Sequence, residues 1–129
     1  MYQLFRIFFT IVVLTGLAHS ADAPKAAIDF SQVILDDKNQ PVIDADKSTL
    51  TLATVSIRAL GQMFDDERGL AGDEKLKRGF IAFKIAGATG PLLLSPDEVT
   101  KIKQCVGKAW SPLVVARAWP MLDPTIEKP

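Results

Sequence analysis

The sequence predicts an α+β fold, mainly α: an N-terminal β-hairpin followed by four short helices packed around one core. Three observations carry that expectation. Apolar pairs flank a polar turn in "FSQVILDDKNQPVIDADK", residues 30–47. Later stretches repeat apolar residues at helical spacing. Two Ser-Pro pairs, Ser95-Pro96 and Ser111-Pro112, mark helix starts. At 129 residues the chain suffices for one domain with its own core and is short for two.

Before the domain stands a leader. "MYQLFR" carries one basic side chain, Arg6, and an uncharged run follows from Ile7 to Ala18. That run has the length of a signal-peptide apolar region and falls short of the roughly 20 residues that span a bilayer. "AHSADAP" then supplies the small residues a signal peptidase requires. Ala18 and Ser20 place the cut before Ala21; Ala21 and Ala23 would place it before Pro24, a poorer residue there. The expected organisation is therefore a cleaved signal peptide (1–20), a flexible tether (21–29, "ADAPKAAID"), a globular domain (30–123) and a polar tail (124–129).

Within the domain, "VIL" and "VI" flank "DDKNQP" as two short strands around a turn, with Pro41 opening the second. From Thr51 to Phe64, Ala53, Ile57, Leu60 and Phe64 recur on one helical face. "DDERGLAG" is a charged, glycine-containing loop. The next helix, "DEKLKRGFIAFKIAG", starts with Asp73 and Glu74, where the helix dipole favours acids. Its Leu76, Phe80 and Phe83 lie on one side with Ile81 and Ile85 adjacent, so wide an apolar face that a central helix touching several neighbours is expected. "ATGPLLL" is extended. In "SPDEVTKIKQCVGKAW", Ser95 caps, Pro96 takes the first position and Glu98 closes a capping box, with Val99, Ile102, Val106 and Trp110 inward. "SPLVVARAWPML" starts alike on Ser111 and Pro112, points Val115, Trp119 and Leu122 inward, and should kink or end at Pro120. The extended pieces 50–52 and 92–94 are expected to join the hairpin in a small sheet. No internal repeat is read from the residues.

Composition excludes several function classes. Fifteen basic residues balance fifteen acidic ones, so nothing draws the chain generally to nucleic acid or anionic lipid. Contact with a membrane is expected only through the leader. Cys105 is the one cysteine, so no disulfide framework holds the fold. The one histidine, His19, lies in the leader. Cutting there leaves a chain with no Ser/His or Cys/His catalysis and no histidine metal ligand. Neither a cofactor nor a metal site is expected.

Candidate sites are few. An EF-hand loop starting at Asp44 would have Asp46 and Ser48 in place, yet it needs glycine at Thr49 and glutamate at Val55. Asp36, Asp37, Asp65, Asp66 and Glu67 read as solvated turns. "GATGPLLLS" (87–95) lacks the lysine a phosphate loop requires after its last glycine. Cys105 reads as a buried small hydrophobe. For interaction with a protein partner the candidates are Trp110, Arg117 and Trp119, since tryptophan and arginine are favoured at interface centres. The basic face Lys75, Lys77 and Arg78, with Lys84, adds to them. Core packing is the competing reading for both tryptophans, and a homodimer burying Trp119 is compatible with the pattern.

"LAGDEKLKR" (70–78), the capped helix from Ser95 and "SPLVV" (111–115) resemble small proteins of tailed-phage and prophage genomes, which carry no assigned function. The likeness covers about residues 28–123. It implies a phage or prophage origin and transfers no catalytic residue. Those proteins lack an export leader, and this chain departs from them there.

The expected function is a non-enzymatic, exported interaction module, periplasmic or secreted, that binds a protein partner in the bacterial envelope. The alternatives are a cytosolic or membrane-anchored phage accessory or assembly protein, and a small carboxylate-dependent hydrolase. Intact mass across separated cell fractions tests the export expectation. A soluble periplasmic species starting at Ala21 is the expected result. Full-length chain in the membrane would make residues 7–18 an anchor, and full-length soluble chain would remove the export reading.

Overall fold

The computed structural model describes residues 26–129. The leader, its cut site and the first part of the tether lie outside the described residues. The chain runs through β1 (Ala26–Ile28), α1 (Leu52–Leu60), a single 3-10 turn (Asp65–Glu67), α2 (Gly72–Ala86), β2 (Leu92–Leu94), α3 (Pro96–Ala109) and α4 (Pro112–Leu122). It is mainly helical, with one small antiparallel sheet in which Ala26 pairs with Leu94 and Ile28 with Leu92. The tether expected over 21–29 thus gives way to a strand at Ala26. Leu92–Leu94 takes β1 as its partner, whereas Leu50–Leu52 runs beside the segment from Val33 to Ile43 through isolated bridges.

Residues 30–47, where the hairpin is expected, contain no named strand. They hold single bridges, Leu35 with Pro41, Ile43 with Thr49 and Val33 with Thr51. Their backbone bonds form a closed ring. Ile34 N–H donates to Leu50 O at 2.9 Å, Leu50 N–H to Val42 O at 2.8 Å, and Val42 N–H to Ile34 O at 2.9 Å. The three residues are spaced evenly, and the two intervals follow one plan. Asp36 N–H donates to Gln40 O as Asp44 N–H does to Ser48 O, and Asn39 and Lys47 both take left-handed φ, 58° and 68°. "ILDDKNQP" and "VIDADKST" are therefore an internal repeat, contrary to the expectation of none. Arg117 of α4 clamps the first turn, its Nη2 donating to Asp36 O at 2.9 Å and to Asn39 Oδ1 at 2.8 Å.

Helix α1 begins where the ring ends. Thr51 is its N-cap, accepting from Thr54 N–H. It stops at Leu60, short of the expected Phe64, because Gly61 closes it with a bond to Ile57 O at 3.0 Å and the chain turns away. Leu52, Val55, Ser56, Ala59 and Leu60 are all buried, and α1 packs against α2, α3 and α4. The central position expected for residues 73–86 thus belongs to α1. Ile34, Leu94, Ile102, Val106, Ala118 and Leu122 complete the buried core around it.

The two Ser-Pro helix starts differ. Ser95 and Glu98 form the expected reciprocal box, Glu98 N–H donating to Ser95 Oγ at 3.2 Å and Ser95 N–H to Glu98 Oε1 at 3.1 Å. Ser111 makes no side-chain cap bond, and Pro112 sets the start of α4 alone. Pro120 is buried and lies inside the helix, which ends two residues later at Leu122. Its last turn is closed by Asp123 N–H bonded to Trp119 O at 2.9 Å.

Replacing Ser95 by alanine removes the Oγ that accepts from Glu98 N–H and leaves the backbone N–H of residue 95 free to keep its bond to Glu98 Oε1. Urea unfolding of Ser95→Ala is expected to show a loss of about 1 kcal/mol, and Ser111→Ala little change.

Candidate functional site

Helix α2 buries only Ile81 and Ile85. At 3.6 residues per turn, Phe83 lies roughly 180° from the midline of that pair, Leu76 roughly 160° and Phe80 roughly 120°. The face that looked wide in sequence is two stripes on opposite sides of the helix. The outer stripe is bare: Leu76 is 55% exposed, Phe80 60% and Phe83 76%. Large apolar side chains contiguous on one face of a folded domain mark an interaction surface far more often than scattered ones do.

Beside this ridge lies a groove of about 600 Å³ between α2 and α3. Phe80 and Ile81 form its apolar side, and Thr100 and Gln104 lie on the α3 side. The walls are tied across by charge. Lys84 Nζ donates to Glu98 Oε2 at 2.6 Å, and Lys101 pairs with Glu74. Burial pushes the Glu98 carboxyl up, but Lys84 and the Ser95 N–H outweigh it and the net shift is downward. Lys77 on α2 and Asp97 on α3 also line the groove, and neither has an ion-pair partner among the described residues.

The opposite flank of α2 is held by a second charge cluster. Arg78 grips Glu67 with both terminal nitrogens, at 2.6 and 2.8 Å. Lys108 of α3 reaches Asp66 at 2.9 Å and Glu67 at 3.3 Å. The 3-10 turn is thereby pinned to two helices. The Arg78 hydrogen bonds hold the Glu67 carboxyl down at about 2, burial opposing and Lys108 assisting. Cys105 lies buried in the core, and burial pushes its thiol up, away from reactivity.

The residues singled out in sequence divide sharply. Trp110 donates its indole N–H to Val55 O at 3.0 Å. Trp119 donates to Lys103 O at 3.1 Å, and its ring lies so close over Gly107 that a Cβ there would come within 3.0 Å of Cζ2. Both rings are tied into the helix packing, and Arg117 is spent on the turn at Asp36. Arg78 is committed to Glu67. Lys75 is exposed, in a smaller cleft with Met63 and Gly79. Lys77 and Lys84 are the members of the basic face that line the groove beside the ridge, and Lys84 is paired with Glu98. The sequence puts Leu76, Phe80 and Phe83 on one wide apolar face with Ile81 and Ile85 and predicts contact with several neighbours, whereas these three are exposed. Their angular opposition to Ile81 and Ile85 was the signal that could have found them. Among the described residues no cluster of three metal-ligating side chains occurs and no helix is long and apolar enough to cross a membrane. No family model, curated protein or solved structure matches the chain.

The low Glu67 value carries a pH signature. A carboxyl lowered from 4.5 to about 2 contributes stability that is present above its ordinary value and lost as pH falls toward the folded one. Urea midpoints taken across pH 5 to about 2 should fall steeply for the native chain. Glu67→Gln should be less stable at neutral pH and show a shallower acid limb. An unchanged acid limb would assign the loss to other carboxyls, of which Asp123, also held at about 2 by Thr125 and Lys103, is the first to examine.

Proposed function

We propose that this chain is an exported, non-enzymatic protein-interaction module of phage or prophage origin that acts in the bacterial envelope. The observation that carries the reading is the exposed ridge of Leu76, Phe80 and Phe83 on α2, with the groove along its flank. The leader at residues 1–20 supports export, and the lack of histidine beyond His19 supports binding over catalysis. The likeness of residues 70–78 and 95–115 to phage proteins supports the origin. The 34–42–50 ring with its two tight turns is our reading of the expected N-terminal hairpin, a small β platform from which α1 starts.

Site-specific photo-crosslinking in expressing cells tests the binding face. A crosslinker in place of Phe83 should give a discrete adduct, whereas one in place of Leu113, also exposed, on α4, should give none. Equal labelling from both positions, or none from either, would remove the module reading.

A further inference from the structure

We infer that the occupant of the α2 face is a second copy of this chain, laid antiparallel across a two-fold axis near Phe80, with Phe80 and Phe83 of each copy entering the α2–α3 groove of the other. The inference rests on the interaction-module reading and names its partner.

An isologous contact requires one surface that carries both a projection and the recess to receive it. Here the ridge and the groove share helix α2, with Phe80 belonging to both. The charges agree. Lys84 and Lys101 are neutralised within the chain by Glu98 and Glu74. That leaves Lys77 on one wall and Asp97 on the other, without an ion-pair partner among the described residues. A strongly acidic partner would press on Asp97, and a strongly basic one on Lys77. A copy rotated by a two-fold brings its own Asp97 toward Lys77 and its own Lys77 toward Asp97, so one favourable contact is made twice. The equal numbers of acidic and basic residues remove long-range repulsion between copies. Three large apolar side chains per copy make a patch at the small end of specific interfaces, which sets the expected dissociation constant in the micromolar range.

Sedimentation velocity on the protein as recovered from expressing cells, from about 1 to about 100 µM, reads the assembly. A concentration-dependent dimer is expected. Phe83→Glu, at a side chain too exposed to hold the fold, should weaken it at least about ten-fold with the unfolding midpoint kept, while Leu113→Glu leaves it intact. Lys77→Asp and Asp97→Lys should each weaken the dimer by setting like charges face to face, and the double exchange should restore it. A chain that stays monomeric at about 100 µM overturns the inference. So does a dimer indifferent to Phe83→Glu, or a double exchange weaker than either single one. The crosslink at residue 83 separates the two levels. An adduct of twice the chain mass agrees with self-association. An adduct of another mass from a monomeric protein keeps the module reading and sinks the second copy; no adduct and no dimer sinks both.

Discussion

Helix α1 is nine residues long, too short to persist alone in water. It exists because its neighbours bury it. Leu52, Val55 and Ala59 are fully enclosed by α2, α3 and α4, at a gain of roughly 1.5–3 kcal/mol for each large side chain taken from water. The enclosure is not purely apolar. The indole of Trp110, at the end of α3, reaches the Val55 carbonyl, so the helix that starts the core is held by a residue far along the chain. Its N-terminal end grows out of the 34–42–50 ring, whose Leu50 is itself buried. Ring and helices therefore meet at one short element.

What is left over on the outside follows from that centre. With α1 in the middle, α2 needs only Ile81 and Ile85 to attach to it, and one stripe suffices. The remaining apolar side chains of α2 face away. Ion pairs flank the helix: Arg78 with Glu67 on one side, Lys84 with Glu98 and Lys101 with Glu74 on the other. Exposed ion pairs add little stability singly. The burial of Ile81 and Ile85 sets which face of α2 turns inward, and the ion pairs sit around that face. The ridge faces outward because the opposite stripe is the one buried.

The parts of this arrangement legible in the sequence are the local ones. Ser95 and Glu98 stand three residues apart and satisfy each other's backbone whatever the rest of the chain does, so their helix start could be read directly. Cys105, Ile102 and Val106 share one face of a single helix, and burial followed. The α2 ridge was not legible by the same rule. Periodicity shows which residues share a face, but which face turns inward depends on the helix packed against it. The octad repeat hid for another reason. Ile34, Val42 and Leu50 differ in identity, as do Asn39 and Lys47, and what they share is a backbone conformation and a ring of bonds closed through space. The inward positions of Trp110 and Trp119 were legible from their helical stripes, but nothing local announces that their indoles will find the Val55 and Lys103 carbonyls.

The pairing of β1 with β2 bears on the order of events in the life of the chain. Ala26 is made early, and its partner Leu94 lies beyond α1 and α2. Contacts of such sequence separation form late, after the intervening helices have shortened the distance to be closed. Until Leu92–Leu94 has been made, Ala26–Ile28 has no strand to pair with. The sheet is thus completed only once two intervening helices have been made. The strand Ala26–Ile28 therefore waits for a partner more than sixty residues along the chain.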